Sequence, residues 1–162
     1  MTRTTNMAFA FTDEQAIILE SAKGFCGDRS NISTVRSLLG SDNGYSQDIW
    51  AEMVGLGWTG IAIPEQHGGS ELGIGSTVPL VESMGRNLLS TPYISTTIAS
   101  QAILRGGSEE QKAKWLPLVA EGSIGTLALL DNEDWGASST SCQLSADGQL
   151  KGTKMLVNDA AV

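Results

Sequence analysis

The sequence predicts a mainly α fold: a helical bundle over residues 1–122, followed by the first, incomplete strands of a β-domain over 123–162. Thr12-Asp13-Glu14-Gln15 and Ser108-Glu109-Glu110-Gln111 both match the capping box that begins helices. In the last forty positions, short apolar runs and Asp147-Gly148, a hairpin signal, replace the helical periodicity. This change of pattern marks the expected domain boundary.

Apolar residues at steps of three and four predict the helices of the bundle. They lie at about 13–27, 31–39, 46–54, 74–89, 92–105 and 109–121. In the fourth helix the predicted apolar stripe consists of Ile74, Val78, Val81, Met84 and Leu88. The apolar residues of the last helix include Trp115, Leu118 and Val119.

The segment Gly55–Gly69 interrupts the helices and is expected to be a non-helical crossover. Pro64 prevents a helix from continuing through it, and Gly68-Gly69 permits a tight reversal at positive φ. Its apolar residues, expected to hold it against neighbouring helices, are Trp58, Ile61 and Ile63.

Three short segments after the bundle predict β-structure. They are Thr126–Leu130, Gln143–Ser145 and Leu150–Val157. Because a β-domain is stable alone only with three or more strands, we expect this one to be incomplete at Val162.

Composition excludes several classes of function. The net charge of −8 and the absence of a Lys/Arg run disfavour a nucleic-acid partner. No run approaches the roughly 18 apolar residues that span a bilayer, and no secretory signal begins the chain, so no membrane partner is expected. Cys26 and Cys142 lack CxxC spacing and favour free thiols in a reducing cytoplasm.

Local motifs for other chemistries are weak. Gly73-Ile74-Gly75 imitates part of a dinucleotide-binding fingerprint, but the third glycine position holds Val78 and no βαβ repeat follows. The lone His67 has no partners at metal-ligand spacing, so no metal site is assigned. No Gly-x-Ser-x-Gly elbow supports a serine nucleophile.

A set of short motifs, specific in its order and spacing, covers nearly the whole chain. They are Phe11-Thr12-Asp13-Glu14-Gln15, Leu56-Gly57-Trp58, Pro64-Glu65-x-x-Gly68-Gly69, Glu82-x-x-Gly85-Arg86, Pro92-Tyr93, Gly107-Ser108-x-x-Gln111-Lys112-x-x-Trp115-Leu116-Pro117 and Gly152-x-Lys154. Together they resemble the acyl-CoA dehydrogenase family, over its N-terminal helical domain and the beginning of its middle β-domain.

The resemblance implies a flavin-dependent oxidoreductase of fatty-acid metabolism that binds FAD and an acyl-CoA thioester. In that family a carboxylate removes the α-proton, and the β-hydrogen leaves as hydride to the flavin. Electrons then pass to an electron-transferring flavoprotein, and similar subunits form homo- or hetero-oligomers. The family's base lies in a C-terminal domain outside this sequence. No catalytic residue is therefore assigned here, and the chain alone is expected to be inactive.

The resemblance also locates the flavin contacts, in an atypical branch with a degenerate flavin loop. Leu130 stands where the loop usually has Thr or Ser, and Ala137 replaces a serine unless Ser138 substitutes for it. Leu156-Val157-Asn158 replaces the usual Trp-Ile-Thr. The implied cofactor contacts are Leu129, Leu130, Asp131, Ala137, Ser138, Leu156, Val157 and Asn158, with Tyr93 as the substrate contact. Because the loop is degenerate, the alternative is a non-catalytic subunit or fragment that assembles with an active partner.

Overall fold

The structure is a computed structural model and describes residues 11–131 and 141–162. The described part is mainly α-helical with short strands after the helices, which confirms the predicted fold class. Its helices are α1 (Asp13–Arg29), α2 (Ile32–Leu38), α3 (Gln47–Gly55), α4 (Val78–Asn87), α5 (Tyr93–Gly106) and α6 (Glu109–Ala120), and its strands are β1 (Gln143–Leu144) and β2 (Leu150–Lys151).

Capping side chains set the start of α1 and α6. Thr12 Oγ1 accepts from the Gln15 amide at 3.2 Å, while Gln15 Oε1 accepts from the Thr12 amide at 3.1 Å. Ser108 and Gln111 make the same reciprocal bonds at 3.2 and 2.9 Å. These bonds satisfy backbone N–H groups that have no partner within the helix. Both predicted capping boxes are confirmed.

The core of the bundle lies between α1 and α4, which run in the same direction. Gln15 approaches Gly75 at one end, and Ser30 Oγ donates to the Asn87 carbonyl at the other, 2.9 Å away. The main buried cluster consists of Ala22, Cys26, Ile49, Trp50, Met53, Trp58, Ile61, Leu80, Met84, Leu89 and Tyr93. A second cluster, Ile63, Leu116 and Val119, joins α6 to the crossover.

Two predicted apolar sets are correct for Met84 and Val119, which are buried, and wrong for other members. In the fourth helix Ile74, Val78 and Leu88 are exposed, and the buried residues are Pro79, Leu80, Ser83 and Met84. In α6 Trp115 and Leu118 are half exposed, and Leu116 and Val119 are buried. The first error has a physical cause. The hydroxyl of Ser83 donates to the Pro79 carbonyl at 2.9 Å, so a polar residue can occupy the packed face.

The crossover contains no α-helix after Gly55, as predicted, and two short 3₁₀ turns, Trp58–Gly60 and Glu65–His67, lie within it. Gly68 has a φ of 83°, as the tight reversal requires. Gly69 is needed for another reason: a Cβ there would lie 2.0 Å from the Ile63 carbonyl oxygen. Its expected apolar anchors, Trp58, Ile61 and Ile63, are all buried.

The β-structure is shorter than predicted. β1 and β2 pair antiparallel, with Leu144 opposite Leu150, and Gly148 takes a φ of 80° in the turn between them. Residues 126–130 form no strand. Instead, Leu130 makes an isolated antiparallel bridge to Met155. A strand needs a partner along its length, and in the described residues this segment has that one bridge. The domain boundary at 122–123 stays a prediction.

Candidate functional site

An apolar groove of about 240 Å³ opens where α5 meets the chain segments on either side of the hairpin. It is lined by Ser95, Ile98, Thr126, Leu127, Leu129, Leu130, Leu156 and Asn158. Small-molecule pockets usually enclose about 300–1,000 Å³, so this groove is smaller than a complete binding site. It joins four of the predicted cofactor contacts, Leu129, Leu130, Leu156 and Asn158.

Hydrogen bonds fix the walls of the groove. The Met155 amide donates to the Leu130 carbonyl at 2.8 Å, which joins the two segments that carry the predicted contacts. Ser95 Oγ donates to Asp159 Oδ2 at 2.6 Å and ties the second segment to α5. The Gly125 amide donates to Thr96 Oγ1 at 3.2 Å and ties the first segment to the same helix.

The predicted contact Asp131 lies behind this groove rather than among its lining residues. Its carboxylate forms an ion pair with Lys154 and accepts hydrogen bonds from the Ser141 amide and hydroxyl and the Cys142 amide. The bond from Lys154 and those from Ser141 hold the pKa of Asp131 well below its usual range. The carboxylate therefore remains ionised, with its acceptor positions directed to protein donors.

The predicted substrate contact, Tyr93, is 1% exposed and belongs to the main buried cluster. Its hydroxyl donates to the Trp58 carbonyl at 3.3 Å, and burial raises the pKa of this phenol. A role in substrate contact stays a prediction. Val157 is half-buried and is not one of the groove-lining residues. Ala137 and Ser138 lie outside the described residues.

Sequence reasoning missed the contribution of α5 to the groove. Ser95 and Ile98 both line it, and Ile94, four positions before Ile98, is half exposed beside it on the helix. Apolar side chains at i and i+4 on an outward-facing helix surface were a signal for a binding face. The signal was ambiguous, because the same spacing equally suits a buried face.

A larger cavity of about 590 Å³ lies between α2 and the end of α4. Its walls are mostly aliphatic side chains, including Val35, Leu38 and Leu88, and it contains no residue predicted to bind a ligand. Across residues 11–131 and 141–162, no three His, Cys, Asp or Glu side chains converge to hold a metal ion. The helices in those ranges also lack the length and apolar content needed to cross a bilayer.

The described residues form a helical domain, followed by short β-segments, with an apolar groove between α5 and those segments. Comparison with known proteins makes this specific, since residues 12–123 match the family model described as acyl-CoA dehydrogenase, N-terminal domain. This chain belongs to the acyl-CoA dehydrogenase family.

Individual relatives agree with this assignment. The chain is similar to the acryloyl-CoA reductase (NADH) of Anaerotignum propionicum, with 30% identity over 96% of this chain and 41% of that protein. It is similar to a solved variant of the Tcur3481-Tcur3483 steroid ACAD, with a TM-score of 0.80 and 31% identity over 91% of this chain and 42% of that one. It is also similar to butyryl-CoA dehydrogenase from Megasphaera elsdenii, with a TM-score of 0.71 and 25% identity over 93% of this chain and 42% of that one. The chain spans about two-fifths of the length of these three proteins.

Proposed function

We propose that this chain is part of a flavin-dependent oxidoreductase that carries out α,β-dehydrogenation of an acyl-CoA thioester. The observation that carries the proposal is the groove, because it unites Leu129 and Leu130 with Leu156 and Asn158 across 26 or more positions of sequence. The resemblance to the family implies flavin contacts at these same positions. Membership of the family and the helical fold support the same reading.

The residues of the groove suit the ring system of FAD in polarity. Its walls are mainly aliphatic, and Asn158 and the hydroxyl of Ser95 add polar groups to the lining. Leu130 supplies no side-chain hydroxyl, and its carbonyl already accepts from the Met155 amide. When bound, FAD supplies the acceptor for a hydride from the substrate.

The chain's own residues would bind and orient rather than transfer protons. Leu127, Leu129 and Leu156 would exclude water from the reacting atoms, which strengthens every electrostatic interaction there. No Asp or Glu is among the groove-lining residues, and the nearby Asp159 is hydrogen-bonded to Ser95. We therefore assign the α-proton base to a carboxylate outside residues 11–131 and 141–162.

The proposed partners follow from the family. They are an acyl-CoA substrate, an electron-transferring flavoprotein, and like or unlike subunits of the same fold in an oligomer. Exposed apolar side chains such as Ile17 and Leu39, 72% and 81% exposed, support assembly with further protein surface. Cys26 and Cys142 are free thiols, which fits the proposed cytoplasmic location.

The second candidate function is a non-catalytic subunit that completes an active partner. The observation that favours it is Leu130, an apolar, 8% exposed side chain where the family's loop usually carries a hydroxyl. Such a chain would keep the helical domain and its assembly surfaces while holding FAD weakly or not at all.

The test is reduction of an electron-accepting dye by the complete protein, reconstituted with FAD, using butyryl-CoA and a CoA thioester of a steroid side chain as substrates. Reduction with either substrate supports the enzyme, and absence of reduction together with weak or no FAD binding supports the non-catalytic subunit. Ile98→Glu should abolish reduction by placing a charge in the groove. Ile32→Glu, on the exposed face of α2, should leave it unchanged. Failure of the wild type to bind FAD would overturn the flavin-dependent proposal.

A further inference from the structure

Asp131 and Lys154 join three separate parts of the chain behind the groove. Asp131 follows the segment that carries Leu129 and Leu130, and Lys154 precedes Met155, the residue that pairs with Leu130. The carboxylate also accepts from the Ser141 hydroxyl at 2.8 Å and the Cys142 amide at 3.0 Å. One ion pair thus connects the start and the end of the hairpin region to the groove wall.

The second bond of Lys154 acts directly on that wall. Its Nζ donates to the Leu129 carbonyl at 3.1 Å as well as to the Asp131 carboxylate. Leu129 lines the groove, whereas neither charged residue does. The pair therefore determines where the wall lies without contributing its own surface to it.

This ion pair is more enclosed than other ion pairs of the described residues. The Asp131 side chain is 5% exposed and that of Lys154 is 21% exposed. By contrast, the Glu20 side chain is 74% exposed in its pair with Lys23, and that of Glu109 is 80% exposed in its pair with Lys112. Charge-assisted hydrogen bonds shielded from water hold their geometry better than exposed pairs.

We propose that Asp131 and Lys154 are positioning residues for the flavin, acting through the wall formed by Leu129, Leu130 and Leu156. This inference rests on the proposed function, because it concerns the same groove. Asp131 therefore has a different role from the direct cofactor contact that the family resemblance implies. The carboxylate fixes the wall that contacts the cofactor and does not itself face the cofactor.

The experiment compares FAD affinity of the complete protein with that of D131N, K154M and the double variant D131N/K154M, measured by quenching of flavin fluorescence. Each single variant should weaken FAD binding by about tenfold. The double variant should be no worse than either single one, because both remove the same interaction. K154R keeps the cation and should bind FAD within about threefold of wild type.

Two further readouts separate positioning from general loss of structure. Visible circular dichroism of bound flavin reports its orientation and should change in D131N and K154M, with recovery in K154R. Far-ultraviolet melting should show the helices intact, since the pair lies outside α1–α6. The controls E109Q and K112M break an exposed Glu–Lys pair on α6, whose residues do not line the groove, and should leave affinity and spectrum unchanged.

The outcomes are distinguishable. If the wild type binds FAD and D131N and K154M bind it equally well with the same spectrum, the positioning role is overturned while the proposed function stands. An additive loss in the double variant, or failure of K154R to recover affinity, would overturn it as well. If the wild type binds no FAD, the proposed function fails, and this inference fails with it.

Discussion

The indole Nε1 of Trp50 donates to the carbonyl of Gly122 at 2.9 Å and joins α3 to the turn that ends α6. Trp50 is 7% exposed, and Gly122 takes a φ of 104° directly against Val54. The bond therefore holds the end of the helical bundle where the chain leaves toward the groove. It connects residues 72 positions apart, a distance over which local sequence patterns carry no information.

Trp50→Phe should destabilise the chain by about 1–3 kcal/mol, because it removes the donor and leaves the Gly122 carbonyl without this partner. Urea unfolding followed by far-ultraviolet circular dichroism measures the change. Trp115→Phe is the control: Trp115 is 45% exposed, and its replacement should change stability by less than about 0.5 kcal/mol. Equal effects of the two substitutions would contradict the structural importance of the Trp50 bond.

Gly69→Ala and Gly24→Ala should change the stability of the chain in opposite directions. At Gly69 a Cβ would lie 2.0 Å from the Ile63 carbonyl oxygen and 2.6 Å from that of Gly60, so the backbone must shift, and a loss of about 1–3 kcal/mol is expected. Gly24 lies inside α1 with no atom within 4 Å of its Cβ position, and alanine there should stabilise by about 0.5–1 kcal/mol. Thermal melts of both variants test the pair. A stable Gly69→Ala would disprove the tight approach.

Tyr93 should make the chain sensitive to alkali. Burial raises the pKa of its phenol in the folded state above the ordinary value of about 10. Its contribution to stability is therefore fully present below pH 10 and is lost as pH rises through the higher folded pKa. Between pH 8 and 11.5, the free energy of unfolding measured in urea should fall less for Tyr93→Phe than for wild type.

Cys26 contributes to the same alkaline loss in both proteins, because burial raises the pKa of its thiol to about 11. The informative quantity is therefore the difference between wild type and Tyr93→Phe at each pH. If the difference in unfolding free energy between the two proteins does not change above pH 10, Tyr93 is accessible to solvent, which would support its predicted role as a direct substrate contact.

The helix starts could be predicted because their causes are local. Thr12 and Ser108 lie within three positions of their capping partners, so sequence spacing contains the whole interaction. The packed face of α4 could not be predicted in the same way. Ser83 occupies that face because its hydroxyl bonds to Pro79, and a count of apolar residues assigns no such position to the core.

The candidate site was also predictable only in part. Family motifs placed Leu130 and Leu156 near one ligand, and the groove contains both. The surroundings of Asp131 depend on Ser141 and Lys154, ten and 23 positions away, and no pattern in the sequence links them. The resemblance predicted which segments contact a ligand, whereas the three-dimensional contacts distinguish Leu130, which lines the groove, from Asp131, which does not.

Leu130 stands where the flavin loop of the family usually carries a hydroxyl. Leu130→Thr should tighten FAD binding by the complete protein about two- to tenfold, the range that one net hydrogen bond provides. The backbone bridge to Met155 does not depend on the side chain, and a β-branched residue suits an extended segment, so the groove wall should persist. Loss of apolar burial should lower stability by about 1–2 kcal/mol. Adding Ala137→Ser, outside the described residues, should tighten binding further.

Leu144→Thr provides the matched control, because Leu144 lies in β1, is 71% exposed and does not line the groove. It should leave FAD affinity unchanged in the same fluorescence titration. If FAD binds more tightly to Leu130→Thr but not to Leu144→Thr, the flavin lies against residue 130. Weak FAD binding by the wild type would then result from the missing hydroxyl. Unchanged or weaker binding would mean that residue 130 does not correspond to the hydroxyl position of the family's flavin loop. The chain would then more closely fit the non-catalytic subunit, since its groove would lack the contact on which the flavin assignment depends.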